Sequence, residues 1–135
     1  MTPKVSSLMV ILFVVAAISS TPAKAAWKER DVQVCVCKGM DLEVTMPSGG
    51  RADCVSDQHA IEVDKTSKWA EAIGQSLYYA QQTRRRAKVI LFCKQKRGLN
   101  CLKDRLRFES TIAAYDLPID LDVYSWVDLR ELCRP

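Results

Sequence analysis

The chain has 135 residues, six cysteines, and 20 Lys and Arg against 16 Asp and Glu, a formal net charge of +4. That length suits one domain and is short for two, and the charge is too mild to argue for a nucleic-acid partner unless the basic residues cluster. Beyond the N-terminal segment no apolar run approaches the roughly 20 residues that span a bilayer, which excludes a polytopic membrane protein.

Lys4 precedes the apolar run 8–18, and the small-residue site Ala23-Lys24-Ala25 follows it. A positive end, a short apolar stretch and an A-x-A site predict a secretory signal peptide over 1–25, removed near Ala26. The run is too short to cross about 30 Å of hydrocarbon, so a retained anchor is the weaker reading. The expected mature domain is 26–135, exported to the periplasm or the medium and free of the membrane. With Lys4 and Lys24 removed its net charge is +2. All six cysteines (Cys35, Cys37, Cys54, Cys93, Cys101 and Cys133) fall in it, and an even number in an exported chain predicts disulfides, two of a maximum of three being expected here. Sequence cannot choose their connectivity. Cys35-x-Cys37 is too tight for a zinc-finger pair and His59 is the sole histidine, so a structural zinc site is disfavoured.

The segment 27–36 is ambiguous: its first half could form a helical turn, while Val32, Val34 and Val36 alternate like a strand. Leu42, Val44 and Met46 alternate with polar residues, Pro47-Ser48-Gly49-Gly50 is a tight turn, and a strand resumes at Arg51, so 42–55 reads as a hairpin. His59–Val63 is a third short strand. The clearest helix runs from Lys68 to about Gln82, capped by Thr66 or Ser67, with Trp69, Ala72, Ile73, Ser76 and Tyr79 or Ala80 on one face. The basic run 83–88 leads into Val89–Cys93, a continuous apolar stretch suited to a buried central strand. A second helix over 102–115 places Leu102, Leu106, Ile112 and Ala113 at helical intervals; Pro118 ends it, 119–126 alternates as a last strand, and a short tail carries Cys133. A strand meander followed by strands alternating with helices predicts an α/β domain: a mixed sheet flanked by helices, in the order α-β-β-β-α-β-α-β.

Several acidic and polar residues converge on one chemistry. Asp53 lies on one strand of the hairpin and Glu62 on the next, and neighbouring antiparallel strands can bring such side chains together. Two carboxylates and the backbone carbonyl of Val63 would form an oxygen-rich site for Mg²⁺ or Mn²⁺, an ion able to activate water and offset charge on a displaced phosphate. Lys68, Gln75 and Tyr79, spaced by seven and four, share one face of the following helix. Lys68 would orient water or balance phosphate charge, while Gln75 and Tyr79 would reach a nucleic-acid backbone.

Gly50-Arg51-Ala52-Asp53, Ile61-Glu62-Val63-Asp64 and Gln75-x-x-x-Tyr79 together resemble the PD-(D/E)xK nuclease pattern, the last element being similar to the Q-x-x-x-Y of its RecB-like exonuclease branch. The segments 51–54, 59–64 and 68–75 are similar to a group of small bacterial proteins placed near these nucleases. The resemblance spans roughly 27–126 and is strongest over 51–80. It implies a restriction-endonuclease-like core with Asp53, Glu62, Lys68, Gln75 and Tyr79 as catalytic residues and Mg or Mn as cofactor. Asp64 departs from the pattern, standing where the family has its lysine. A lysine that has migrated to Lys68, or secondarily Lys65, would replace it, and Glu29 would be the upstream acid of the first helix.

Arg84, Arg85, Arg86 and Lys88, followed by Lys94, Lys96 and Arg97, are the candidate contacts to a polyanion. Two functions follow: an exported metal-dependent nuclease, or a catalytically inactive, disulfide-stabilised binding module with a protein partner on the same scaffold. Asp64 favours the second. A cysteine-dependent enzyme is disfavoured, there being no C-x-x-C and His59 alone to serve as base.

Overall fold

The computed structural model describes residues 26–96 and 98–133; the predicted signal peptide lies outside the described residues. The elements are α1 (Glu29–Val36), β1 (Asp41–Thr45), β2 (Arg51–Val55), β3 (His59–Lys65), α2 (Trp69–Thr83), β4 (Arg86–Phe92), α3 (Leu99–Ala114), β5 (Ile119–Tyr124) and α4 (Trp126–Leu132), with a 3-10 turn at Thr66–Lys68. One five-stranded mixed sheet runs β1-β2-β3-β4-β5, antiparallel from β1 to β3 and parallel from β3 to β5.

Alternation along β3 and β4 divides the molecule into two layers around this sheet. Ile61, Val63, Ile90 and Phe92 point to one face and pack with Val32 of α1 and Leu129 of α4. Ala87, Val89 and Leu91 point to the other, beneath Ala72 and Ala80 of α2 and Phe108 of α3. The two parallel crossovers place α2 and α3 on that same face, and Glu62 and Asp64 are aimed toward it as well.

Several sequence expectations change. The ambiguous first segment is a helix, because Val32 alone of its three valines is fully buried and Gln33 is buried beside it. Neither Thr66 nor Ser67 caps α2; Thr66 opens the 3-10 turn, and Lys68 precedes the helix without a side-chain cap. The strand expected from Val89 starts earlier: Arg86 and Lys88 already pair with His59 and Ile61 in the β3–β4 ladder, and their side chains ion-pair with Asp120 and Asp122 of the adjacent strand at 2.8 and 2.6 Å. On α3 the core face is Phe108 with Ile112, while Leu102 and Leu106, which share the helical spacing, are both 54% exposed. The tail is a helix, α4, started by a capping box in which Ser125 and Asp128 exchange hydrogen bonds.

Three disulfides form rather than two: Cys35–Cys133 joins α1 to the end of α4, Cys37–Cys54 joins the end of α1 to β2, and Cys93–Cys101 joins β4 to α3. Such bridges fit an exported protein, because they persist in oxidising compartments. Among the described residues no helix is long and apolar enough to cross a membrane.

Candidate functional site

The site starts from an interruption in the sheet. Strands β2 and β3 pair at Cys54–Ile61 and Val55–Ala60 and separate beyond them. On the other side of β2, Glu43 of β1 takes a left-handed backbone conformation (φ 55°) and leaves the ladder between the Leu42–Cys54 and Val44–Ala52 pairs. Side chains fill what the ladders leave open. The buried Gln33 amide of α1 donates to the Asp53 carbonyl at 2.8 Å and to Glu43 Oε1 at 2.6 Å, while Arg30 donates to Gln33 Oε1 at 3.0 Å. Across the gap the Asp53 carboxylate accepts the Val63 N–H at 2.7 Å. The Val63 carbonyl, which leaves an extended strand on the same edge as its N–H, faces the gap too.

Asp53 is thereby fixed through its backbone and one carboxylate oxygen. Glu62 and Asp64, 7% and 2% exposed, flank Val63 on the α2 side of β3. Asp64 accepts the Lys65 N–H at 2.8 Å and ion-pairs with Lys68 Nζ at 3.6 Å. Among the described residues the buried Glu62 Oε2 has no hydrogen-bond partner, nor has Gln75 Oε1. Tyr79, one helical turn beyond Gln75, meets the Gln75 side chain and the Arg51 backbone through its hydroxyl. Its ring lies against Gly50, where a Cβ would stand 3.2 Å from Tyr79 Cε1 and where φ is +83°, so both the turn and the ring require glycine.

Burial and mutual repulsion set the protonation of this cluster. Burial pushes Glu62 up to about 9, the charges of Asp53 and Asp64 adding to it. Burial lifts Asp53 to about 6 against the opposing Val63 N–H. Burial likewise raises Asp64 to about 7, with Glu29 adding and the Lys65 N–H and Lys68 opposing. The Asp64 charge raises Lys68, holding it cationic. Burial, then the Glu62 charge, raises the Tyr79 phenol. Glu29, at the start of α1, acts on Asp53, Glu62 and Asp64 alike. An acidic group without a partner, packed among other carboxylates, is stable only if protonated or if a cation joins it.

The donors are of the hard oxygen type. Mg²⁺ is commonly held by one or two carboxylates, with water and substrate phosphate completing its shell, and Asp53, Glu62 and the Val63 carbonyl supply such a partial set. Among the described residues no group of three or more His, Cys, Asp or Glu side chains is placed to hold a metal ion.

Of the residues picked out in the sequence, Asp53, Glu62 and Tyr79 act on one another, Tyr79 meets Gln75, and Lys68 is tied to Asp64, with Glu29 acting on the carboxylates and on Lys68. The basic candidates Arg84, Arg85, Arg86 and Lys88 stand apart. Arg84 and Arg85 follow the far end of α2, about 24 Å from Lys68 at 1.5 Å per residue. Arg86 and Lys88 extend onto the opposite face of the sheet, neutralised by Asp120 and Asp122. His59 is bound to Asp120 at 2.7 Å on that opposite face. Sequence reasoning missed Gln33 and Glu43, which bond to each other and, through Gln33, to the Asp53 carbonyl; a glutamine between Val32 and Val34 gives no periodic signal of such a role. No family model, no curated protein and no solved structure matches the chain.

Proposed function

We propose that the chain is an exported, metal-dependent nuclease-like protein that hydrolyses nucleic-acid phosphodiesters on a restriction-endonuclease-like core, with Mg²⁺ or Mn²⁺ held by Asp53, Glu62 and the Val63 carbonyl. The observation that carries this reading is the Lys68–Asp64 contact at 3.6 Å, Asp64 lying two residues along the same face of β3 from Glu62, whose buried Oε2 has no partner among the described residues. The contact sets an ammonium among the carboxylates although Asp64 occupies the position of the resembled family's lysine. The bound ion would supply Lewis acidity toward the phosphate and its attacking water. Lys68 offsets charge on the phosphate or orients the water, Gln75 and Tyr79 contact the flanking backbone, and Asp53 is preorganised by Gln33 and Val63.

The test is cleavage of linear, supercoiled and single-stranded DNA and of RNA with Mg²⁺ or Mn²⁺, against EDTA controls, for the protein and Glu62→Ala. Metal-dependent cleavage lost in Glu62→Ala supports the reading; absence of cleavage together with absence of Mn²⁺ binding by calorimetry overturns it. One observation favours the second reading, a catalytically inactive binding module: both oxygens of Asp64 are engaged by the Lys65 N–H and Lys68, so this carboxylate serves the fold. Mn²⁺ binding without cleavage of any substrate would select that reading.

A further inference from the structure

At the carboxyl ends of the parallel strands β3 and β4, next to the carboxylate cluster, lies a cavity of about 260 Å³. Lys65 and Ser67 line it from the end of β3, Lys94 and Gln95 from the β4–α3 loop, and Asn100 from the first turn of α3. Lys65 stands opposite Phe92 in the parallel ladder, so Lys94 follows two residues beyond that pair. The Cys93–Cys101 bridge closes the loop, and Thr66 Oγ1 donates to Cys101 Sγ at 3.5 Å, which pins the loop against the 3-10 turn that bears Lys68.

The charge in this cavity is unspent. Neither the Lys65 nor the Lys94 ammonium has an anionic partner among the described residues, and the Ser67, Gln95 and Asn100 side chains are equally uncommitted. The one acid in the lining, Asp104, is engaged by Arg107 at 3.2 Å. By contrast Arg86 and Lys88, in the basic run that stands out in the sequence, are neutralised on the far face. In sheets with parallel strands, ligands are received outside the carboxyl ends of the strands.

We propose that this cavity binds a backbone phosphate of a single-stranded nucleic acid, one flanking the phosphate that reacts at Asp53 and Glu62, with Lys65 and Lys94 as its charged contacts and Ser67 and Asn100 as hydrogen-bond donors. The identity of the polyanion rests on the nuclease reading; the cavity and its free cations do not. The nucleic acid thus enters past the amino-terminal end of α2, not past Arg84 and Arg85.

The test is the fluorescence anisotropy of a short labelled single-stranded oligodeoxynucleotide, titrated in EDTA over a range of salt. The Lys65→Ala/Lys94→Ala protein should bind about tenfold more weakly at low salt, with the slope of log K against log salt shallower by about 0.7 for each phosphate that is no longer neutralised. The charge-matched Arg84→Ala/Arg85→Ala protein should bind less than twofold more weakly. Thermal melts establish that both are folded, as expected for substitutions at exposed Lys94, Arg84 and Arg85 and half-buried Lys65. Equal weakening in the two proteins, weakening confined to the arginine variant, or no binding by the parent chain would each overturn the inference. Binding that follows the lysines while no metal-dependent cleavage occurs would sink the hydrolytic reading and leave Lys65 and Lys94 as a single-strand phosphate site without a reacting neighbour.

Discussion

Glu62→Gln should make the metal-free protein more stable at neutral pH. The substitution keeps the shape of the side chain and removes a carboxylate whose buried Oε2 has no partner among the described residues. Glu62 titrates near 4.5 when unfolded and is pushed up to about 9 in the fold. The native state therefore binds a proton that the unfolded chain releases, and stability falls as pH rises from 4.5 toward 9. At about 1.4 kcal/mol per pH unit, the cost at pH 7.5 is on the order of 4 kcal/mol. Glutamine, which cannot ionise, escapes it. At roughly 4 °C per kcal/mol for a domain of this size, melts in EDTA at pH 7.5 should rise by about 10 °C or more in Glu62→Gln, and the difference should close near pH 4.5. Mn²⁺ should raise the melting temperature of the parent and leave that of Glu62→Gln nearly unmoved, since a cation stabilises only a state that binds it. A Glu62→Gln protein less stable than its parent in EDTA at pH 7.5 would refute the reasoning, because Glu62 would then be a stabilising carboxylate with a partner.

Lys68→Ala should lower metal-dependent cleavage by about 10²- to 10³-fold with Mn²⁺ affinity retained by calorimetry, whereas Lys65→Ala should act on substrate affinity and spare the rate at saturation; a rate loss in Lys65→Ala alone would assign the migrated lysine to Lys65. Phe108→Ala, at a fully buried position, should cost about 3–5 kcal/mol in urea unfolding, and Leu102→Ala, more than half exposed, less than about 1 kcal/mol; similar costs would mean that α3 is rotated from the face described. Replacing Cys35 and Cys133 by serine, a bridge of sequence separation 98, should cost about 4.7 kcal/mol by loop entropy, against about 2.5 kcal/mol for Cys93 and Cys101 at separation 8. Denaturant melts of the two double variants check the order.

Where a single period governs an element, the sequence disclosed it. The hairpin, the buried β4 and the long α2 each carry one dominant pattern, an alternation, an apolar run or a helical face, and all three stand in the structure within a few residues of where they were expected. The errors fall where tertiary context overrides a local pattern. Arg86 and Lys88 lengthen β4 because β5 offers Asp120 and Asp122 in register, which a reading of the strand alone cannot supply. Leucines 102 and 106 satisfy helical spacing as well as Phe108 does, and only the placement of α3 against β4 and β5 decides which stripe is covered. The last helix was hidden because its start is a two-residue capping signal, Ser125 and Asp128, inside an apparent strand.

For the site, the acids and the helix face were legible as types at spacings; what joins them was not. Glu62 and Asp64 share a face by strand alternation, and Lys68 reaches Asp64 because it follows it by four residues through a turn into α2. The position of Asp53 depends on something else, the separation of β2 from β3. Had the ladder continued past Cys54–Ile61, the Val63 N–H would not have been left for the Asp53 carboxylate. The Asp53 backbone is tied besides by Gln33, a residue 20 positions away whose amide donates to the Asp53 carbonyl. Gln33→Leu should therefore act as the loss of a positioning residue. It leaves the Asp53 carbonyl and Glu43 without their buried donor, which costs about 1–3 kcal/mol of stability, and it should weaken Mn²⁺ binding even under conditions where the variant remains folded. Gln33→Glu would set a further carboxylate against Glu43 and Asp53 and should be worse at pH 8 than at pH 5. If Gln33→Leu kept full Mn²⁺ affinity, the geometry of Asp53 would have to come from the Val63 hydrogen bond alone.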